Sequence, residues 1–254
     1  MQFIKKQYPH ATKEWITEES FADVLKNAKY LDKVQTINLK KVKKEKSLKL
    51  LKDEYQKLKY IGKFDIVIDM QGLIKSAIVS KIISKNNHGF DKNSTRESFA
   101  ALFYKTTSSI AYEENIISRN THIIADALNI SITEDMIRNK EPIFAVEKNL
   151  ELNHKKKNIA FVIGASWDSK IYPKEEVVKI CNDLQEQVYV VWGTQEEKQR
   201  AQWICEHSNY ASLAPKLSLS ELISFISNMD LLIGNDTGPT HMAWAQNIPS
   251  ITIL

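Results

Sequence analysis

A chain of 254 residues with 43 % hydrophobic and 26 % charged content can bury a sizeable core and is long enough for two modest domains. No apolar run reaches the length of a bilayer span and the N-terminus lacks a signal-peptide core. The cytoplasm is therefore the default compartment, and the two cysteines, Cys181 and Cys205, have no Cys-x-x-Cys spacing, so disulfide and zinc readings have nothing to stand on and both read as core thiols.

The net charge of +4 and the isoelectric point near 8.8 are mildly basic, but lysines crowd the stretch from Lys40 to Lys63. An acidic partner and a solvated helix face both fit that pattern. The six histidines are scattered and no Asp-x-Asp pair occurs, so no carboxylate-held metal is expected.

The chain opens on Gln2 to Tyr8, which reads as the tail of an amphipathic helix stopped by Pro9. A short strand around Lys13 to Thr17, a helix from Ser20 to Ala28 and a strand from Val34 to Leu39 follow. Leu48, Leu51, Tyr55 and Leu58 recur at spacings of three and four, which predicts one helix over 44–59 with a single apolar stripe. Phe64-Asp65-Ile66-Val67-Ile68-Asp69 reads as a strand buried on both faces. Met70-Gln71-Gly72 then turns the chain into a helix near Leu73, leaving Gln71, Lys75 and Ser76 at a crevice. A cation early in a helix opposes the helix dipole, so Lys75 wants an anionic partner. Thr95 to Tyr104 reads as a helix carrying Arg96 near its start, with an aromatic face that must be buried. Arg119 precedes a helical pattern at 123–128.

Residues 139–157 shift to charge, and the domain boundary is placed there: an N-terminal domain over 1–145, a linker over 146–157 and a C-terminal domain over 158–254. Beyond it, strands at 159–163, 188–192 and 231–233 and a last one beginning at Ile251 alternate with helices after Pro173, at 196–207 and at 219–229. Alternation of this kind means a parallel doubly wound sheet. Ser166 and Lys170 fall in the loop after the first of these strands, where a hydroxyl and a point cation suit a diphosphate. Asp230-Leu231-Leu232-Ile233-Gly234-Asn235-Asp236-Thr237-Gly238-Pro239-Thr240-His241 is strand, glycine turn and helix start. It aims backbone N–H groups and the positive end of a helix dipole at the crevice beyond a strand's carboxyl end.

Asp236-Thr237-Gly238-Pro239-Thr240-His241, with Ala243 and Ala245 following, resembles the nucleotide-sugar signature of the family 9 glycosyltransferases, the lipopolysaccharide heptosyltransferases. Trp244 departs from the small residues usual there. Phe64 to Ala77, with Asp69, Gln71, Gly72, Leu73, Lys75 and Ser76, is similar to a segment of the members that add the first heptose, and Thr95 to Tyr104 and Arg119 extend the likeness.

That resemblance implies two Rossmann-like doubly wound domains in a GT-B architecture, incomplete at both termini. It implies inverting, metal-independent transfer of heptose from ADP-heptose to Kdo-lipid A, without a cofactor. Ser166, Lys170, Glu197, Asp236, Thr237, Gly238 and His241 are then the donor residues, Lys170 and Asp236 having the catalytic roles. Gln71, Lys75, Arg96 and Arg119 become the acceptor residues, and Leu213 to Leu219 a loop of the base pocket. The family's general-base aspartate would lie upstream of Met1, so little or no transferase activity and reduced stability are expected of this stretch alone. Its place would be the cytoplasmic face of the inner membrane.

A nucleotide-binding module or fragment without turnover could use the same crevice. A dinucleotide oxidoreductase would want Gly-x-Gly-x-x-Gly after a strand, and no such run occurs. A nucleic-acid binder would use the lysine stretch, which has acidic residues mixed in and few aromatics for stacking.

Overall fold

The computed structural model describes residues 1–146, 152, 155–165 and 170–253. Two compact units divide the chain. One comprises Met1–Gln2, Ser20–Val34 and Glu141–Leu254, and the other Phe3–Glu19 and Gln35–Lys140.

The first unit is built on five parallel strands. β6 (Asn158–Val162), α7 (Lys174–Leu184), β7 (Gln187–Val191), α8 (Gln195–His207), β8 (Ala211–Leu213), α9 (Leu219–Ile226), β9 (Leu231–Asn235), α10 (Gly238–Ala245) and β10 (Ser250–Ile253) follow in order. Across the sheet the strands run β10-β9-β6-β7-β8. Every residue of β6 is buried, as a central strand covered on both faces must be. Its side chains alternate between two cores. Ile159, Phe161 and Ile163 meet Val177, Cys181, Ala201 and Ile204 from α7 and α8. Ala160 and Val162 meet Ile223, Ile226, Met242 and Ala243 from α9 and α10. Helices on both faces make the sheet doubly wound, with the strand order reversing between β6 and β9. Burial pushes the Cys181 and Cys205 thiols up to about 11, so both stay protonated at neutral pH.

The boundary expected near residue 145 differs from these units. Residues 20–34 join the later half because Lys29 N–H donates to Ile143 O at 2.8 Å and Ala145 N–H to Asn27 O at 2.8 Å, while the Asp23 carboxylate accepts from Ser220 N–H at 2.9 Å. Contacts spanning more than a hundred positions leave no local pattern to read. Most of the expected linker lies outside the described residues.

The second unit holds α1 (Gln2–Gln7, which begins in the first), β1 (Glu14–Glu18), β2 (Lys33–Ile37), α2 (Leu39–Glu45), α3 (Leu48–Lys59), β3 (Val67–Ile68), α4 (Ile74–Ile83), β4 (Asn87–Phe90), β5 (Thr106–Ser108), α5 (Ile116–Leu128) and α6 (Glu134–Arg138). β1 pairs with β2, and β3-β4-β5 form a parallel sheet. A cavity of about 490 Å³, lined by Ile16, Ile37, Ile68 and Val79 among others, lies between these pieces.

The single helix expected over 44–59 is two helices. Lys46 takes a left-handed conformation with φ 50°, and the Ser47 hydroxyl caps α3 by accepting from Leu50 N–H. The stripe buried by α3 ends in Leu58, with Leu50 half-buried, while Leu48, Leu51 and Tyr55 stand exposed. Thr95 to Tyr104 likewise holds a 3-10 helix (Ser98–Phe103) that buries Ala100 and leaves Phe99 in solvent, because its short turn puts residues three apart on one side.

Candidate active site

At the β6/β9 switch point of the first unit, three loops converge on Gly164. The chain leaves β6 through Ile163 and Gly164, and Asn235, the last residue of β9, donates from Nδ2 to Gly164 O at 3.1 Å. From the end of β7, Thr194 caps α8 in a reciprocal box with Glu197. The Glu197 carboxylate accepts from Gly193 N–H at 2.6 Å and Thr194 N–H at 3.2 Å through Oε2. Its other oxygen hangs over Gly164, where a Cβ would come within 2.8 Å of Oε1. A side chain at Gly164 would push that carboxylate aside, so the glycine leaves room for the Glu197 carboxylate in its capped position.

Asp236 and Thr237 form the turn from β9 into α10. The Thr240 hydroxyl accepts from Thr237 N–H at 3.1 Å and lies 2.6 Å from Thr237 O and 3.0 Å from Asn235 O, which fixes the turn. His241 Nε2 stands 3.6 Å from Asp236 Oδ1, both side chains well exposed. Gly238 opens α10 beside open space, since a Cβ there would meet nothing within 4 Å. The fold would tolerate a side chain at Gly238, so its absence serves whatever approaches the helix N-terminus.

Of the expected donor residues, Glu197, Asp236, Thr237, Gly238 and His241 thus sit at the carboxyl ends of β7 and β9. Lys170 is exposed on the segment that follows β6, the strand between them. Ser166 lies outside the described residues. The loop from Leu213 to Leu219 packs on the same rim: Trp192 Nε1 donates to Ala214 O at 2.8 Å, and Lys216 donates to Gly193 O and covers the Trp192 ring. Sequence reading passed over Asn235, which is buried with Oδ1 lacking a hydrogen-bond partner among the described residues. A polar residue ending a buried run was the available signal.

In the second unit, Asp69 ends β3 as a buried carboxylate. It accepts from Gln71 N–H at 2.9 Å and from the Tyr104 hydroxyl at 2.6 Å. Burial first, then the Asp69 charge, pushes the Tyr104 phenol far up, so it is a fixed donor. Gly72 follows with φ +64°, a left-handed turn residue whose Cβ position is crowded by Phe90 and Thr95. Thr95 Oγ1 donates to Gly72 O at 2.8 Å, and the Glu97 carboxylate accepts from Ile74 N–H at 2.7 Å, closing the start of α4. Arg96, between those two anchors, is thereby held beside the turn bearing Gln71 and Lys75, all three exposed.

Arg119 does not join that exposed set. Its guanidinium is buried, donates to Ser94 O and to Tyr112 O, and lies over the Phe90 and Tyr112 rings. It braces the Arg96 loop from beneath: the two carbonyls and the aromatic rings offset part of the cost of burying the cation, while Nε has no hydrogen-bond partner among the described residues.

These features define a doubly wound α/β protein with a loop-lined crevice at the switch point of its five-stranded sheet. The family model for glycosyltransferase family 9 (heptosyltransferase) matches residues 55–254. A lipopolysaccharide heptosyltransferase 1 from Campylobacter coli is 38 % identical over 271 residues, covering all of this chain and 78 % of the relative. The chain belongs to glycosyltransferase family 9 and is a glycosyltransferase. A lipopolysaccharide heptosyltransferase 1 from Escherichia coli (strain K12) is 25 % identical, covering 94 % of this chain and 77 % of the relative. Among solved structures, E. coli heptosyltransferase WaaC with ADP-2-deoxy-2-fluoro heptose matches with a TM-score of 0.83 at 24 % identity, over 99 % of this chain and 81 % of that one.

Proposed function

We propose that this glycosyltransferase moves L-glycero-D-manno-heptose from ADP-heptose to Kdo-lipid A in the inner core of lipopolysaccharide, with inversion and without a divalent ion. Heptose transfer in the lipopolysaccharide core is the activity its family membership supports, and solved relatives are described with ADP and an ADP-heptose analogue. The observation that carries the donor reading is the convergence at Gly164 of the Glu197 carboxylate and the Asp236 turn, beside the N-terminus of α10.

In this reading Glu197 takes the ribose hydroxyls. Lys170, Ser166, the Thr237 and Gly238 amides and the α10 dipole meet the diphosphate as charge builds on the departing ADP. Asp236 and His241, held as a pair, orient the donor. On the other unit Gln71, Lys75 and Arg96 present donors suited to the carboxylates and phosphates of the acceptor, arginine by its planar fork. In this reading the enzyme works on its lipid acceptor at the cytoplasmic face of the inner membrane. Among the described residues no helix is long and apolar enough to cross it.

The test is ADP binding by calorimetry together with mass detection of heptosylated Kdo-lipid A. Lys170→Ala and Asp236→Ala should each weaken ADP by roughly tenfold or more, the worth of one charge-assisted contact. Unchanged affinity in both variants would remove the donor site, and ADP binding without any heptosylated product would leave a nucleotide-binding module.

A further inference from the structure

The stretch from α2 through α3 to Lys63 is the densest run of positive charge in the chain, and the donor and acceptor residues proposed above do not include it. Between Lys40 and Lys63 there are ten lysines, no arginine and three acids, Glu45, Asp53 and Glu54. That is an excess of seven positive charges, against +4 for the whole chain, so the remainder of the protein is net negative by three. Glu54 is turned inward, where it accepts from Asn38 N–H at 3.2 Å.

An apolar stripe accompanies the charge. Leu48, Leu51 and Tyr55 fall within an arc of about 60° on α3, from the 100° step of an α-helix. They are 82 %, 49 % and 46 % exposed, and Tyr60 just past the helix is 76 % exposed. Lys52 and Lys59 border the stripe on the side away from the buried Leu58, both exposed. Their stems can lie along an apolar surface while the ammonium groups reach water or phosphate.

From this arrangement we propose that α3 docks in the plane of an anionic lipid bilayer, with Leu48, Leu51 and Tyr55 entering the headgroup boundary and the hairpin lysines meeting lipid phosphates. Charge complementarity selects that occupant. Protein interfaces are depleted in lysine at their cores, and a nucleic acid offers nothing to a leucine stripe. A narrow apolar face edged by lysine, with a tyrosine at the boundary, is the composition of an interfacial helix. The device acts on the membrane lipid itself, so it stands apart from capture of Kdo-lipid A by Gln71, Lys75 and Arg96.

The experiment is sedimentation of the whole chain with vesicles of phosphatidylethanolamine and phosphatidylglycerol, against vesicles of phosphatidylcholine alone, in the absence of Kdo-lipid A. Binding should require the anionic lipid and weaken as salt rises. The triple variant Leu48→Ser, Leu51→Ser, Tyr55→Ser and the charge variant Lys52→Glu, Lys59→Glu should each lose about tenfold or more in partitioning. The five side chains lie largely outside the core, so both variants should stay folded by circular dichroism with a modestly lower melting temperature, and ADP affinity should stay at the wild-type value, which keeps this test separate from that of the reaction. Equal partitioning of the triple variant and the wild type would overturn the proposal. So would equal binding to both vesicle types, or a concentration-dependent dimer abolished by Leu51→Ser, which would show that a second copy covers the stripe.

Discussion

Glu197 closes a helix cap with one oxygen and, in the proposed reading, holds the nucleoside with the other. Oε2 closes the α8 cap, while Oε1 stands over Gly164 at the mouth of the crevice. Glu197→Ala should cost about 0.5–1 kcal/mol of stability, the usual worth of a cap. The same variant should weaken ADP by roughly tenfold, as expected for lost hydrogen bonds to a charged acceptor. If the carboxylate holds the ribose, 2′,3′-dideoxy-ADP should bind wild type and variant alike; a variant that loses both ligands equally would mean that only the loop shape matters. The Asp236 turn was legible in the sequence because turn chemistry is local, whereas Glu197 was singled out only by the family resemblance. The place of Arg119 was not legible: the carbonyl of Ser94 and the ring of Phe90 that occupy it come from residues more than twenty positions away.

At the level of elements, the spacing of β6 and β9 sets where the donor loops end. Gly234 pairs with Val162, and a Cβ there would lie 2.8 Å from Val162 Cβ and 2.9 Å from its carbonyl oxygen. Gly234→Ala must push two central strands apart, so a loss of about 1–3 kcal/mol is expected, the range for overpacking a core. Gly238→Ala makes the contrast, because its Cβ meets only open space. It should leave the denaturation midpoint unchanged or raise it slightly, as alanine for glycine does at a compatible backbone position, and lower ADP affinity; a destabilised Gly238 variant with normal affinity would contradict the site.

The parallel alternation of the first unit was plain from its apolar runs, whereas β4 escaped notice because its sequence, Asn87-His88-Gly89-Phe90, has no such run. It is buried all the same, with His88 Nδ1 2.8 Å from Thr106 Oγ1 and Nε2 2.7 Å from Ser108 Oγ. Burial holds the His88 imidazole below its ordinary value of 6.5 despite the partly offsetting pull of Asp126. The unfolded chain then takes up the proton first. Stability is full above about pH 6.5 and falls as the pH drops from there towards the lowered folded-state value. His88→Gln keeps hydrogen-bonding capacity without titrating, so its melting temperature should fall less than that of wild type between pH 7.5 and 5.5. Parallel curves for the two proteins would rule out His88 as the source.

For the molecule as a whole, the residues proposed to hold the donor belong to one compact unit and those proposed to hold the acceptor to the other. No single loop is shared between Gly164, Glu197 and Asp236 on one side and Gln71, Lys75 and Arg96 on the other. Losses at sites without common partners combine additively in free energy, to within about 0.3–0.5 kcal/mol. Lys75→Ala and Arg96→Ala should therefore weaken capture of Kdo-lipid A in detergent micelles and leave the dissociation constant for ADP untouched, while Lys170→Ala should do the reverse. In the double variant Lys75→Ala, Lys170→Ala each affinity should match that of the corresponding single variant. Should Lys75→Ala alone weaken ADP, the division of labour between the units would be wrong, and Lys75 would have to be counted among the groups that meet the diphosphate.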